Sequence, residues 1–502
     1  MATSRACTGS VIADGATRDG NRTIDLVQRS YLMLHRWLFP VFALVSISLC
    51  AQAHSLPPPV ATALHQAGIS SQNVAVWVQA LDADTPDVAL NAERPLTPAS
   101  VMKLVTAFAA LERLGPGFTW DTRIAHDGTI QNGQLTGNLY LIGGGDPLLN
   151  VDRLWKIFAR IHAMGVRHIR GNIVLDGSAM RLPPHDPGAF DGQPLRPYNS
   201  GPNALLLNFN TVQLHLAPGK TAGAPVGVAP VPSLRGITFE NRITTVAGDC
   251  RANWWSTLDA SIDGNRVALN GQLPTSCGPR DWNIAPLSSN DFSAALVAQL
   301  WESSHGSLGG QVRWGQTPES ATTLFTHPSV SLAEAVREMN KWSSNVIAHQ
   351  LLASLALEQE NGPDMLDAGA RIAAGTLATA GISTQGLQVD NGSGLSRIAR
   401  IRADTLGALL LTAWQRPWMP EFMSALSLVG IDGTARRRLH DSLARGQAHI
   451  KTGAIHNVRA IAGYVLDRHG RRHAIVMIVN DSNAPASRAA QDALIEWVWA
   501  GR

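Results

Sequence analysis

Hydrophobic positions near the start of the chain predict a strand hairpin followed by a buried helix. Asn73–Leu81 is apolar enough for a strand, and Asp87–Asn91 can return beside it across a turn. Ser100–Leu114 is apolar nearly all round and is closed by a Gly-Pro-Gly sequence. This pattern is typical of a core helix that ends at a Gly/Pro stop, with Ser100 in its first turn.

The middle of the chain has a different pattern. From residue 118 to about residue 286, short β-like runs alternate with Gly, Pro and Asn, and Val151–Met164 is the main helical stretch. This composition predicts one β-rich insertion, or two nested insertions with the inner one near residues 210–275.

The last part of the chain returns to longer elements. Helical patterns occupy Phe292–Glu302, Ser331–Met339, Asn345–Leu357, Asp367–Ala380 and Thr405–Ala413. Three strands and an amphipathic helix then close the chain: His449–Ile455, Arg459–Leu466, Arg472–Val479 and Ser487–Trp499. Because strands stand at both ends with helices between them, we expect an α+β fold with an antiparallel sheet that the two termini complete together.

Composition limits the domain count and the kinds of partner. A chain of 502 residues is expected to form two or three domains. Its net charge is +3 and it has no dense Lys/Arg run, which argues against a nucleic-acid partner. No Cys/His spacing typical of a metal site occurs, so we expect neither a metal nor another cofactor.

One apolar run, residues 38–51, has the pattern of an export signal. It follows His35 and Arg36 and precedes a small-x-small cleavage site that ends at Ala53. The run is short for a membrane span, which needs about 20 residues. We therefore expect a cleaved signal peptide and a periplasmic protein, with an uncleaved signal anchor as the alternative.

The same pattern sets the expected limits of the mature chain. Met33 is the expected start, so residues 33–53 form the signal and residues 1–32 a non-native or disordered extension. Cleavage would leave Cys250 and Cys277, which can pair in an oxidising compartment; two free buried thiols are the alternative.

A nucleophile motif lies at the start of the first core helix. Ser100 and Lys103 form Ser-x-x-Lys, and residues one helical turn apart share a face. A serine hydroxyl becomes a good nucleophile when a neighbouring base takes its proton. A lysine can be that base if burial and nearby cations lower its pKa.

Two further motifs follow in the second half of the chain. Ser343 and Asn345 form Ser-x-Asn just before a helix. Lys451, Thr452 and Gly453 form the chain's one Lys-Thr-Gly sequence, on a predicted strand. Lysine and threonine there can bind a carboxylate, and the glycine would let a substrate approach the backbone. Each motif alone is weak.

The order of the three motifs is the signature of penicillin-binding proteins and serine β-lactamases. About 240 residues separate Lys103 from Ser343, which leaves room for a large insertion. With this insertion the chain resembles the low-molecular-mass class C penicillin-binding proteins, which are serine D-Ala-D-Ala carboxypeptidases with endopeptidase activity. Further stretches that carry the resemblance are Gly143–Pro147, Leu206–Asn210, Asn340–Asn345, Asn391–Arg397 and Gly430–Thr434.

The resemblance implies a fold and a domain division. We expect a penicillin-binding/β-lactamase-like transpeptidase domain, an antiparallel sheet flanked by helices, formed by residues 54–117 and 287–502. Residues 118–286 would be the insertion between the first and second motifs. The Asp432-Gly433 and Asn391-Gly392 segments are either plain turns or turns that shape the site.

The resemblance also implies a role for each site residue. Ser100 would attack the carbonyl between two D-alanines and form an acyl-enzyme, with Lys103 as its base. Ser343 would relay a proton to the leaving amine with the help of Lys451. Asn345 would hold Lys103 and a substrate amide.

Binding of the substrate is implied at a second group of residues. Thr452, beside Gly453, would bind the terminal carboxylate, and the backbone N–H groups of Ser100 and Ala454 would form the oxyanion hole. Asp146 and Arg397 match positions that recognise the charged end of a diaminopimelate-type side chain. Ser393, in the Asn391–Arg397 stretch, is counted with the binding residues.

The implied partners are the stem peptides of peptidoglycan, with β-lactams as covalent inhibitors. Peripheral contact with a membrane and the oligomeric state stay open. The chain departs from the family pattern at Ser344, where Asp is more frequent, and at Ala454, where Thr is frequent. Two alternatives remain: a β-lactamase or esterase on the same scaffold, and a non-catalytic protein that binds the cell wall.

Overall fold

The computed structural model describes residues 55–357 and 364–501. The predicted signal peptide and the extension before it lie outside these residues. The described residues contain ten α-helices: α1 (Pro58–Gln66), α2 (Lys103–Leu114), α3 (Val151–Ala163), α4 (Ser289–Ser303), α5 (Leu332–Trp342), α6 (Asn345–Ser354), α7 (Met365–Thr379), α8 (Ala403–Trp414), α9 (Met419–Ser424) and α10 (Arg488–Trp499). Each helix that the hydrophobic pattern predicted is present, with ends that differ by one turn or less. None of the described helices is both long enough and apolar enough to cross a membrane.

The strands belong to five sheets. In chain order they are β1 (Val74–Ala80), β2 (Val88–Leu90), β3 (Asp121–His126), β4 (Ile130–Gln131), β5 (Gln134–Leu135), β6 (Leu139–Ile142), β7 (His168–Ile169), β8 (Ile173–Asp176), β9 (Val212–Ala217), β10 (Gly227–Val231), β11 (Thr238–Val246), β12 (Leu258–Asp263), β13 (Arg266–Pro274), β14 (Arg280–Ile284), β15 (Ser307–Leu308), β16 (Val312–Trp314), β17 (Thr322–Pro328), β18 (Ser427–Leu428), β19 (Ala448–Ile455), β20 (Val458–Leu466) and β21 (Arg472–Asn480).

The largest sheet is antiparallel and contains the first and the last strand of the described residues. Its order is β18-β19-β20-β21-β1-β2, so the N-terminal strand β1 pairs with the C-terminal strand β21. Val74 lies opposite Val479, and Ala80 lies opposite His473. The prediction that the two termini complete one sheet is confirmed.

Helices cover both faces of this sheet. Successive strand residues point to opposite faces, so Trp77 packs with α2, α6 and α8, while Val76 packs with α1 and α10. The all-apolar character of β1 and β21 follows from this double burial. The fold is α+β, with an antiparallel sheet between two helical layers.

The β-rich region has its own hydrophobic core, which includes Ile124, Phe158, Leu269, Trp301 and Phe325. Four sheets surround it, with orders β16-β8-β6-β3-β17, β15-β7-β5-β4, β10-β9-β14 and β11-β13-β12. A disulfide joins Cys250 to Cys277 in this region. The division into nested domains near residues 210–275 stays a prediction.

The β-rich region has contacts beyond its expected C-terminal limit. We expected it to end at residue 286, but β17 pairs antiparallel with β3 along its whole length. Helix α4 also packs into the same core through Phe292 and Trp301. We propose that the region continues to Pro328, and the domain limits stay a prediction. The sequence could not indicate this pairing because strand pairing is a long-range contact that no local pattern contains.

Gln350 connects the β-rich region to α6. Its side chain is fully buried, and Nε2 donates to the carbonyl oxygens of Gly145 at 2.9 Å and Asn203 at 2.7 Å. Its Oε1 accepts from the Asn203 backbone N–H at 3.2 Å. One side chain thus holds two segments of the β-rich region against the helix that begins at Asn345.

Candidate active site

Ser100 lies in a tight turn that is fixed by two glycines. A 3₁₀ turn, Ala99–Met102, leads into α2, and Ala99 has a left-handed φ of 47°. A Cβ at Gly453 would lie 2.6 Å from the Pro98 carbonyl oxygen and 3.1 Å from the Ser100 nitrogen. A Cβ at Gly394 would clash with the Ala99 carbonyl oxygen.

The structure gives Gly453 a packing role in addition to the one that we expected. The sequence suggested that this glycine lets a substrate approach the strand backbone. In the structure it is the turn before Ser100 that approaches β19 so closely that no side chain fits between them. Gly453 positions the nucleophile against the Lys-Thr-Gly strand.

Lys103 has three hydrogen-bond partners in a fully buried position. Its Nζ lies 3.0 Å from Ser100 Oγ, 2.7 Å from Asn345 Oδ1 and 2.6 Å from the carbonyl oxygen of Ser393. The two carbonyl-type oxygens can only accept hydrogen bonds. A neutral amine has two hydrogens and one lone pair, so its hydrogens satisfy those oxygens and its lone pair faces the Ser100 hydroxyl.

Burial favours this neutral form of Lys103. Desolvation, together with repulsion from the Lys451 ammonium, holds the pKa of Lys103 well below its ordinary value. A lysine that is neutral near physiological pH can take a proton from a serine. Lys103 and Ser100 therefore have the geometry and the electrostatics of a base and its nucleophile.

Lys451 forms a second lysine–serine pair. Its Nζ donates to Ser343 Oγ at 2.8 Å and to the Thr452 carbonyl oxygen at 2.7 Å. Lys451 is fully buried, and desolvation lowers its pKa to about 7. At neutral pH this lysine can therefore both hold and release a proton beside the Ser343 hydroxyl.

The backbone at the second motif explains why Ser343 faces Lys451 and Ser344 does not. Ser343 ends α5 in a left-handed conformation with φ 60°. Ser344 begins α6, and its hydroxyl accepts from the Ile347 backbone N–H at 3.3 Å. The residue where the family more often has Asp thus serves as a helix cap, and Ser344 forms no hydrogen bond with Ser100 or either motif lysine among the described residues.

Asn345 binds both Lys103 and the β-rich region. Its Oδ1 accepts from Lys103, and its Nδ2 donates to the Tyr198 carbonyl oxygen at 3.1 Å. A side-chain amide has two N–H hydrogens, so one remains for a further acceptor. The Tyr198 contact was not expected from the sequence.

A third group of residues supports the Ser393 carbonyl that binds Lys103. Asn391 Oδ1 accepts from the Ser393 backbone N–H at 3.0 Å and from Ser393 Oγ at 2.8 Å. His349 Nε2 lies 3.2 Å from the same hydroxyl. The Asn391-Gly392 segment is thus a turn that shapes the site. The Ser393 carbonyl oxygen accepts a hydrogen bond from Lys103, whereas the buried Ser393 hydroxyl is hydrogen-bonded to Asn391 and His349.

His349 is a site residue that sequence reasoning missed. It is buried, and desolvation with repulsion from Lys103 lowers its pKa to about 3, so it stays neutral. Its position four residues after Asn345 on α6 was a signal, because residues at this spacing share a helix face.

Thr452 faces the Gly430–Thr434 stretch. Thr452 Oγ1 donates to Thr434 Oγ1 at 2.8 Å. Asp432 forms an ion pair with the buried ammonium of Lys341, and a Cβ at Gly433 would lie 2.7 Å from the Lys341 carbonyl oxygen. The Asp432-Gly433 turn therefore also shapes the site. Ala454 lies exposed at the end of the same strand.

The structure does not bring Asp146 and Arg397 together. Asp146 is 2% exposed; burial raises its pKa, and its ion-pair partner is Arg153 at 3.6 Å. Arg397 is exposed, with its guanidinium 4.3 Å from the centre of the Phe190 ring. No hydrogen bond or ion pair joins the two in the described part of the chain. Their role in recognising a substrate side chain stays a prediction.

Cavities open on both sides of Trp342, whose side chain is 56% exposed. One, of about 700 Å³, is lined by Ser343, Asn345 and Tyr198. The other, of about 560 Å³, is lined by Thr434, Thr452 and Ala454. The motif residues thus stand between two spaces large enough for peptide groups.

Comparisons with known proteins identify the family of this chain. The model of the D-Ala-D-Ala carboxypeptidase 3 (S13) family matches residues 58–500. A D-alanyl-D-alanine carboxypeptidase from Actinomadura sp. (strain R39) is 31% identical over 429 residues, which cover 80% of this chain and 76% of the relative.

Solved structures agree on the fold. Penicillin binding protein 4 from Haemophilus influenzae superposes with a TM-score of 0.73 at 24% identity, over 88% of this chain and 99% of that one. A complex of the same Haemophilus protein with a β-lactam has a TM-score of 0.70 at 23% identity, over 88% of this chain and 100% of that one. The likeness confirms the expected penicillin-binding fold.

Proposed function

The chain belongs to the D-Ala-D-Ala carboxypeptidase 3 (S13) family, and on that premise we propose that Ser100 forms an acyl-enzyme with peptidoglycan stem peptides. As a member, the protein is a serine-type D-Ala-D-Ala carboxypeptidase. The proposal adds that it opens D-Ala–diaminopimelate cross-links as an endopeptidase, is acylated by penicillins and acts in the periplasm.

One observation carries the proposal of the nucleophile. Lys103 Nζ lies 3.0 Å from Ser100 Oγ, while its two other hydrogen-bonding directions end on oxygens that can only accept. The lone pair of a neutral Lys103 is therefore directed at the Ser100 hydroxyl, from which it can accept a hydrogen bond. General-base catalysis of this kind contributes roughly a hundredfold to ten-thousandfold in rate.

Acylation follows from this pair. Lys103 takes the Ser100 proton as Oγ attacks the carbonyl carbon between the two D-alanines. The backbone N–H groups of Ser100 and Ala454 would bind the oxyanion. The C–N bond then breaks, and Ser343, hydrogen-bonded to Lys451, gives a proton to the leaving amine.

Hydrolysis of the ester completes the cycle. Water attacks the acyl carbon and gives a proton to the Ser343–Lys451 pair. The ester bond then breaks, and Lys103 returns its proton to Ser100 Oγ. In an endopeptidase reaction the leaving amine belongs to the diaminopimelate of a second stem peptide. The bond that breaks is of the same type, so the same groups would serve both reactions. The substrate carboxylate would bind at the Thr452–Ala454 end of β19, where Thr452 is half-buried and Ala454 is exposed.

Covalent labelling tests the proposal. Purified protein and its Ser100→Ala variant are incubated with a fluorescent penicillin and separated under denaturing conditions. We expect a fluorescent band for the wild type and none for the variant, with release of D-alanine from a pentapeptide lost in parallel. Labelling that persists in Ser100→Ala, or its absence from folded wild-type protein, would refute Ser100 as the nucleophile. Rapid release of hydrolysed penicillin would instead favour a β-lactamase.

A further inference from the structure

The cavity beside the Lys-Thr-Gly strand has an unusual concentration of arginine. Thr434, Thr452 and Ala454 form one wall, and Trp342 stands at its edge. The rest of the lining includes five arginines: Arg436, Arg437, Arg438, Arg459 and Arg488. None of its described lining residues is acidic. The cavity is therefore suited to an anionic ligand.

Three of these arginines are used by the protein itself. Arg438 forms an ion pair with Asp492 at 2.6 Å, and Arg488 lies 3.8 Å from the same carboxylate. Arg459 donates to the backbone carbonyl oxygens of Ile455 at 2.9 Å and Val458 at 2.7 Å. These contacts hold the guanidinium groups in place and explain why Arg438 can be buried and Arg459 half-buried.

Arg436 and Arg437 differ from these three arginines in their exposure and in their contacts. Both are exposed, and neither forms an ion pair with an acidic group in the described residues. Two guanidinium groups thus remain free at the cavity, on the segment that directly follows Thr434. Arginine binds carboxylates well because its planar donors match the two oxygens.

The cavity is much larger than a single D-alanine, which is the leaving group of a carboxypeptidase, requires. If Thr452 binds the carboxylate of the leaving residue, the side chain of that residue lies at this cavity, which Thr452 lines together with its hydrogen-bond partner Thr434 at 2.8 Å. For D-alanine this side chain is a methyl group, whereas the cavity holds about 560 Å³. A diaminopimelate leaving residue continues from the same point into a whole stem peptide, which carries further carboxylates.

We infer that this arginine-lined cavity binds the acceptor stem peptide of a cross-link, with Arg436 and Arg437 pairing with its carboxylates. The inference rests on the proposed function, since it assigns the space beyond the leaving amine of the Ser100 reaction. Arg436 and Arg437 are specificity residues here and touch no reacting atom. The exposed indole of Trp342 provides an apolar wall for the same peptide.

The test compares two substrates with the same donor peptide. One is a tetrapeptide dimer joined by a D-Ala–diaminopimelate cross-link, and the other is an uncross-linked pentapeptide. The ratio of kcat/KM for the dimer to kcat/KM for the pentapeptide is measured for wild type and for the Arg436→Ala/Arg437→Ala variant. We expect the ratio to fall about tenfold, as the loss of two exposed ion pairs predicts.

A matched control and a salt series separate this effect from a change in structure. The Arg167→Ala/Arg170→Ala variant removes two exposed arginines from the β-rich region and should keep the wild-type ratio. Added salt should lower the wild-type ratio, because exposed charges are screened, and should have little effect on the Arg436→Ala/Arg437→Ala ratio.

Each other outcome is decisive. An unchanged ratio in Arg436→Ala/Arg437→Ala, or an equal fall in the control, would overturn the inference. Wild type that releases D-alanine and is labelled by penicillin but leaves the dimer intact would overturn it too, while the carboxypeptidase reaction stands. Wild type that is not labelled at Ser100 would mean that the proposed function itself has failed.

Discussion

The carbonyl oxygen of Tyr198 accepts a hydrogen bond from Asn345 Nδ2 at 3.1 Å, so the β-rich region contributes an atom to the catalytic centre. Asn345 also binds Lys103, which makes the Tyr198 backbone the next link in the chain of contacts that begins at the nucleophile. The region inserted between the first two motifs therefore fixes the orientation of a motif residue as well as adding surface around the site.

Gln350 should be essential for holding the β-rich region against α6, the helix that begins at Asn345. In Gln350→Leu the carbonyl oxygens of Gly145 and Asn203 lose their buried donor, and each orphaned group costs about 1–3 kcal/mol. We expect the free energy of unfolding to fall by about 2–4 kcal/mol in chemical denaturation, together with slower acylation by penicillin. Gln415→Leu, at an exposed glutamine after α8, should change neither quantity measurably. Equal stability of the two variants would contradict this prediction.

Lys103 should be needed as lysine. In Lys103→Arg the guanidinium keeps its proton at every accessible pH and cannot accept one from Ser100. We expect the acylation rate constant, measured with a fluorescent penicillin, to fall about a thousandfold. The control is Lys156→Arg, at an exposed lysine of α3, which should acylate at the wild-type rate. Acylation of Lys103→Arg within tenfold of wild type would exclude Lys103 as the base.

The two buried lysines predict a bell-shaped pH profile. As pH falls, Lys103 gains a proton and can no longer act as base, so kcat/KM decreases on the acid side. As pH rises through about 7, Lys451 loses the proton that it shares with Ser343, so kcat/KM decreases on the alkaline side. The profile is measured as D-alanine release from a pentapeptide.

Lys451→Arg tests the assignment of the alkaline limb. Its guanidinium stays protonated, so the decrease above about pH 7 should disappear even if the maximal rate is lower. The circular dichroism spectrum of the variant checks that it is folded. An unchanged alkaline limb in folded Lys451→Arg would assign that limb to another group.

Gly453→Ala should damage the site without damaging the sheet. The new methyl group would lie 2.6 Å from the Pro98 carbonyl oxygen, so the turn that carries Ser100 must move. Displacing a catalytic group by about 1 Å costs roughly a hundredfold in rate. We expect that loss in acylation. Gly375→Ala, at a position of α7 with open space for a methyl group, should acylate normally. Wild-type acylation by Gly453→Ala would show that the turn can relax.

Most of the catalytic domain could be predicted from the sequence because its information is local. The helix at Ser100 and the three final strands have strong hydrophobic patterns, and the order of the three motifs can be seen directly in the sequence. The structure joins Ser100 and Asn345 through Lys103, and it joins Ser343 to Lys451 in a second pair.

The features that could not be predicted are long-range contacts. The pairing of β17 with β3, the hold of Gln350 on Gly145, and the approach of Tyr198 to Asn345 join segments that are distant in the chain. A local pattern predicts whether a segment forms a helix or a strand, but it does not predict which distant segment packs against it. The arginines of the cavity lie in several segments for the same reason, and only the fold brings them together.

The pairing of β1 with β21 has a consequence for the order of folding. Strand β1 precedes every other strand of the described residues, and β21 follows all of them. The central sheet cannot close until the whole stretch from β1 to β21 is available, so its contact order is high and its formation is slow. The β-rich region needs only residues between β3 and β17 and can fold earlier. The turn at Ser100 packs against β19 and β20, and the enzyme therefore gains its nucleophile geometry at the end of folding.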